Sequence, residues 1–169
     1  MGAEILVFLV LPALLALAAG WDIASYTIPN VLPLAIIGAF LVFALVAGLS
    51  GAAFGGHLAA GAVGLAAGFA LFAGGLIGGG DAKLFAATAL WFGFHDLASY
   101  ALIASVLGGG LTLVLLAMRQ IPLPRLLARQ PWLLRLHDAR AGIPYGAALA
   151  AGALAVLPQT ELARLIGAA

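Results

Sequence analysis

Gly78-Gly79-Gly80-Asp81-Ala82-Lys83 sets an acid and a base behind three glycines, between an apolar run that ends near Ile77 and another that begins at Asp81. A charge at membrane depth costs several kcal/mol unless it faces a cavity or a partner. Glycine lacks Cβ, so it lets a chain turn sharply and lets neighbouring segments approach closely. The stretch therefore reads as a carboxylate presented from an irregular, protein-lined break between two helices. A second acid, Asp22, closes the first apolar run in Trp21-Asp22-Ile23-Ala24. Two carboxylates at two helix ends suggest one site.

The composition around this break belongs to a membrane. Of the 169 residues, 65% are hydrophobic and 8% charged, which is far from a soluble domain. The expected fold is an all-α polytopic membrane protein, one domain over residues 1–169, with about six transmembrane helices and the glycine-rich break before the fourth. A net charge of +1 offers no basic face for nucleic acid. With no cysteine there is neither a disulfide nor a Cys-ligated metal, and no metal or other cofactor is expected. No Lys or Arg occurs in the first twenty residues, so that segment reads as a retained span and not a cleaved signal peptide, although Ala16-Leu17-Ala18 mimics a cleavage site.

A crossing helix needs roughly 20 apolar residues. Span one runs from about Ile5 to Gly20, with Pro12 accommodated by neighbouring helices. Thr27-Ile28-Pro29-Asn30 is a turn in which Asn30 suits the N-cap of span two, about Val31 to Leu49. Span three runs from about His57 to Ile77, and Gly61, Gly64, Gly68 and Gly75 give it a face for close packing. Span four meets Gly93 and His95-Asp96 after about 14 residues, roughly 21 Å of helix. So short a span is best explained if the break before it is sunk below the membrane surface. Span five, about Leu97 to Met118, carries Gly108-Gly109-Gly110, read as a helix contact. The segment from Arg119 to Arg140 is amphipathic and suits the membrane interface. Span six begins at Ile143-Pro144-Tyr145-Gly146, with Pro144 in its first turn. Pro158 to Ala169 is a short tail able to extend as a helix.

Sidedness follows by counting. Asp22, Asp81 and the 119–140 segment are separated by two spans each, so all lie on one face. Lys83 and the arginines at 119, 125, 129, 135 and 140 are six of the seven basic residues, which assigns that face to the cytoplasm and both termini to the other side.

Two carboxylates at one site can share a proton, activate water and protonate a leaving group. The plainer alternative is that Asp22 marks the wet end of its span and Asp81 caps the next. Lys83 could orient a substrate or act on Asp81, or simply snorkel to the interface. His137-Asp138 reads as a solvated loop pair, and His57, His95 and Asp96 share the opposite face without a ligand pattern. Tyr145, Trp21 and Trp91 read as interfacial aromatics, with Tyr145 also able to hydrogen-bond at the site.

Three blocks in order carry a resemblance across nearly the whole chain. Asp22 followed by Ile28-Pro29-Asn30, then Gly78-x-Gly80-Asp81-Ala82-Lys83, then Ile143-Pro144-Tyr145-Gly146 with Ala151-Gly152 beyond, together resemble the short prepilin leader peptidases of Flp-type (Tad) pilus systems. The resemblance implies an aspartic endopeptidase of the bacterial inner membrane that cleaves the leader from prepilin and pseudopilin precursors at the cytoplasmic face. It implies Asp22 and Asp81 as the catalytic pair, with Gly78, Gly80 and Lys83 in support. Pro29, Asn30, Pro144, Tyr145 and Gly146 become candidate substrate-binding or structural residues, and membrane lipids the surroundings. Two departures matter. Ile23 to Thr27 carry no basic residue, and the cysteine-bearing domain of relatives that also methylate the pilin N-terminus is missing, so methylation is not expected. The competing readings are a proton-coupled carrier using intramembrane aspartates, which would be expected to show an internal repeat, and a non-catalytic pilus-assembly scaffold. Within the peptidase reading, a side chain at Gly80 should be harmful, through a clash or a positive φ, and one at Gly108 harmless.

Overall fold

The computed structural model describes residues 2–124 and 126–167, and among them every regular element is helical. Helix α1 covers Gly2–Ser25, α2 Val31–Val46, α3 Gly51–Ala73 and α4 Gly79–Arg119. The short α5 (Pro131–His137) precedes α6 (Tyr145–Val156) and α7 (Glu161–Gly167). Three of these, α1, α3 and α4, are long and apolar enough to cross a membrane, and α2 and Tyr145–Gln159 are shorter apolar helices. Large side chains such as Leu9, Leu45, Phe69, Leu102 and Leu113 point outward, as they must where the solvent is lipid. The protein is a polytopic membrane protein.

In α1 the turns over Leu6–Val10 are wound as a π-helix, with the Leu11 N–H reaching back to the Leu6 carbonyl. Pro12 supplies the reason, since it has no N–H to give to the carbonyl one turn earlier. Past Asp22 the helix runs on to Ser25, so that acid sits in the last turn and not beyond it.

Helix α4 is two helices joined at one residue. Gly93 takes φ 60°, ψ −175°, a combination open essentially to glycine alone. The N-terminal arm runs out from Gly79 and the C-terminal arm comes back, so that Tyr100 meets both Phe92 and Phe85 (ring centroids 4.9 and 5.3 Å). With this break the apolar helices make six segments. The polar pair His95-Asp96, which falls between the expected spans four and five, is helical, because Gly93 alone makes the turn. His57 bonds the Leu90 carbonyl (2.8 Å) and its ring would lie 3.1 Å from a Cβ on Gly93. Gly93→Ala is therefore expected to destabilise the protein by about 1–3 kcal/mol, read as a lower melting temperature in detergent. An unchanged melting temperature would mean that the turn tolerates a side chain.

Close helix contacts follow the small residues. A Cβ on Gly64 would lie 2.7 Å from the Ala89 side chain, and one on Gly68 3.0 Å from the Ala82 backbone, so α3 lies hard against the N-terminal arm of α4. Gly75, grouped with them by spacing, is instead in the following turn at φ 71°. Of the three glycines in the C-terminal arm, Gly108 is a contact, overlaid by the Tyr145 ring, whereas Gly109 and Gly110 meet nothing. Gly152 packs on the Ala104 backbone, with its would-be Cβ at 2.7 Å.

Trp91 is not interfacial. It is 1% exposed, donates to the Ile36 carbonyl (3.0 Å) and packs between Phe40 and Phe43, because a buried indole needs an acceptor for its one N–H. Trp21 is exposed, as expected.

Candidate active site

Asp22 in the last turn of α1 and Asp81 in the first turn of α4 are 4% and 7% exposed. A Cβ built on Gly146 would lie 3.0 Å from an oxygen of each, so those two oxygens can be no further apart than twice that distance. Sequence positions 59 residues apart thus converge on one small space beside a third segment.

Backbone amides hold the two carboxylates. Asp81 accepts from the Gly78 N–H (2.9 Å), closing the start of its own helix. Asp22 accepts from the Ala147 N–H (3.2 Å) at the start of α6. Each acid therefore faces a helix N-terminus, where free N–H groups and the helix dipole suit an anion.

The glycines act by closeness and not by unusual backbone. Gly78 is an extended N-cap (φ −74°, ψ 156°) and Gly79 and Gly80 are already helical, with no positive φ among the three. The expected irregular break is therefore an ordinary helix start. Gly80 is crowded: a Cβ there would lie 3.1 Å from the Ile28 Cβ and 3.3 Å from the Ile28 nitrogen. Ile28 in turn reaches the space beside Gly146, 2.5 Å from the Cβ position there. Gly80→Val should push Ile28 toward the carboxylates, and since a displacement of about 1 Å can lower a rate about a hundredfold, any activity that uses the pair should fall by about that factor. The control expected from the sequence, Gly108→Ala, fails here because the Tyr145 ring already fills the place of the new methyl. Gly109→Ala, which meets nothing within 4 Å, replaces it. Equal activity of Gly80→Val and Gly109→Ala at matched membrane levels would overturn the crowding argument.

The remaining candidates divide. Lys83 is exposed and donates to the Asn30 side-chain oxygen (2.9 Å). Asn30 occupies the N-cap position of α2, yet its side chain makes no cap bond, because the ammonium holds its oxygen. Pro144 is buried and is the N-cap of α6, one position before the helix. The Tyr145 ring packs on Gly108 and so serves structure. Gly146, carried as a secondary candidate by its place after Pro144-Tyr145, stands between the carboxylates.

An open cavity of about 600 Å³ covers the pair, lined among others by Tyr26, Asn30, Lys83, Gly142 and Ile143. Tyr26 was not legible beforehand. It ends α1 in the left-handed conformation (φ 57°, ψ 24°), its N–H bonded to the Asp22 carbonyl. That geometry costs a non-glycine residue about 1–2 kcal/mol. Burial pushes its phenol above the ordinary value, so it lines the cavity as a neutral hydroxyl. The amphipathic segment reaches this end of the helices, where its Arg135 carbonyl accepts from the Tyr26 hydroxyl (3.5 Å). Arg119 donates to the Leu136 carbonyl (2.9 Å) and the Gly142 carbonyl (2.8 Å), tying α5 and the approach to α6 to the end of α4. Arg125 of that segment lies outside the described residues.

At the far end of the bundle, His57 packs on Phe40 (5.3 Å). His95 and Asp96 pair at 2.9 Å, and Asp96 also accepts from the Glu161 N–H. Asp138 accepts from the Arg140 N–H, which makes His137-Asp138 a turn. No group of three or more His, Asp or Glu side chains able to hold a metal occurs among the described residues.

No curated protein and no solved structure matches the chain. The model of the type IV leader peptidase family matches residues 9–113, from α1 well into the C-terminal arm of α4. That range holds both aspartates, Gly80, Lys83 and Ile28, and more than half of the 169 residues: the chain belongs to the type IV leader peptidase family.

Proposed function

We propose that this protein is an aspartic endopeptidase of the bacterial inner membrane that removes the leader from Flp-type prepilins and pseudopilins at the cytoplasmic face. The observation that carries the reading is the meeting of two buried carboxylates beside Gly146, under a cavity open at one end of the helices. Family membership supports a leader-type substrate.

The chemistry is a balanced hydrolysis. One carboxylate takes a proton from a water as its oxygen attacks the scissile carbonyl carbon, and the protonated partner gives its proton to the departing amine as the C–N bond breaks. The water thus supplies the oxygen of the new acid, and the proton shared by the pair is restored. Backbone N–H groups at two helix starts keep the carboxylates in place without mobile side chains. Tyr26, Lys83 and Asn30 line the cavity as polar groups able to hold an extended substrate backbone.

Location argues against the carrier reading. Carrier sites lie near the bilayer midplane between repeats, whereas these acids stand where α1 ends and α4 and α6 begin. Two helices that begin at the cavity are short, α2 with its 16 residues spanning about 24 Å, which supports a site set below the membrane surface. The basic residues Lys83, Arg119, Arg129, Arg135 and Arg140 support the cytoplasmic assignment.

Co-expression with a pilin precursor tests the reading. A shift of the precursor to the mobility of the mature pilin on a gel is expected. An unprocessed precursor, with both proteins present in the membrane, would overturn it.

A further inference from the structure

Beside the cavity lies a second hollow of about 480 Å³ with a different character. Its walls are Pro33, Leu34 and Ile37 of α2 and Leu58, Ala62 and Leu65 of α3, and its floor includes Ala86 and Ala87 of the N-terminal arm of α4. Helices α2 and α3 meet through Phe40 and Phe54, whose rings stack at 6.2 Å, and both pack on that arm. Away from this meeting point the slot separates them. Beside Leu90, the floor has the small side chains of Ala86 and Ala87, which let a further helix come close in a membrane. Asn30 and Lys83 are its polar lining residues, and the same two residues line the cavity over the carboxylates. The slot and the cavity therefore form one continuous path, apolar along the helices and polar at the carboxylate end.

We infer that this slot is the docking groove for the apolar helix of the substrate, which lies between α2 and α3 with its leader-proximal end at Asn30 and Lys83. The inference rests on the peptidase reading, since continuity with the carboxylates is what selects a peptide over a lipid chain. A substrate so placed passes its last helical turn by the Lys83–Asn30 pair, and the extended segment beyond that turn enters the cavity. Lys83 keeps donors free for the carbonyls of that segment, beyond the one N–H given to Asn30.

The absence of cysteine from the chain makes the test direct. Single Ala62→Cys and Leu65→Cys variants on the groove wall, and Ala16→Cys on the outer face of α1, are combined with Asp81→Asn to retain the precursor. Each is then oxidised in membranes against single cysteines walked along the precursor's apolar helix. Cross-links at 62 and 65 to precursor positions three and four residues apart, with none at 16, are expected. Cross-linking that is equal at 16, or that is missing at 62 and 65 although the wild-type chain cleaves the precursor, would overturn the groove. So would labelling of 62 and 65 by a photoactivatable phospholipid that added precursor does not reduce. A second arm uses Ala62→Phe, which narrows the slot. Overpacking by one aromatic ring should lower the ratio of kcat/KM for the membrane precursor to that for a short soluble peptide about tenfold. An unchanged ratio would overturn the groove while leaving the peptidase reading intact, and a wild-type chain that cleaves neither substrate would overturn both.

Discussion

Asp22→Asn and Asp81→Asn are each expected to lower the rate of leader cleavage by about four orders of magnitude or more, the range seen when one member of a catalytic unit is removed. The reason is that an amide can neither take the proton of the attacking water nor return one to the leaving amine. The fold should survive, because an Asn oxygen can still accept from the Gly78 and Ala147 amides that hold the acids now. Equal membrane levels and equal melting temperatures in detergent would establish that. The double variant should be no slower than the worse single one, since groups that act as a unit are not additive. The measurement is the initial rate of precursor processing in membranes. More than about a tenth of wild-type activity in either single variant could not come from a mechanism that needs both carboxylates.

Gly146→Ala is expected to lower cleavage about a hundredfold, the cost of moving a catalytic group by about 1 Å. The added methyl would lie 3.0 Å from an oxygen of each aspartate and 2.5 Å from the end of the Ile28 side chain. Ile28 can turn its terminal carbon away. The carboxylates have less freedom, because amides at two helix starts hold them, so the methyl separates the pair or fills the space in which water must be activated. Gly109→Ala, on an open face of the C-terminal arm, should leave activity unchanged and serves as the control. Both would be assayed at matched membrane levels. If Gly146→Ala kept wild-type rates, the two oxygens would not be acting in the space beside that residue.

The glycine-rich stretch illustrates how a local pattern leaves the partner of a residue open. A side chain at Gly80 is expected from the sequence to clash or to be excluded by a positive φ; the residue is helical, so the clash is what remains, and it is with Ile28, 52 positions earlier in the chain. Gly108 was expected to tolerate a methyl group, and the Tyr145 ring forbids it. Asn30 was expected to cap α2, and it holds Lys83 instead. In each case the partner lies far away in the chain, where local pattern does not reach.

The amino-acid sequence by itself determined the solvent, the apolar segments, the two acids and the end of the bundle at which they sit. Hydropathy, the count of crossings and the positions of charges are properties of a one-dimensional chain, and they need no knowledge of which helix touches which. Only the tertiary structure decided that Gly146 stands between the carboxylates, that Trp91 is interior, that a single glycine turns α4 back on itself, and that α2 and α3 part to leave a groove. Each of these depends on how a helix is rotated about its axis. A helix that is apolar all round carries no hydrophobic stripe to mark its buried face, so the rotation is set by small-residue contacts and by bonds such as that between Asp22 and Ala147, 125 residues apart in the chain.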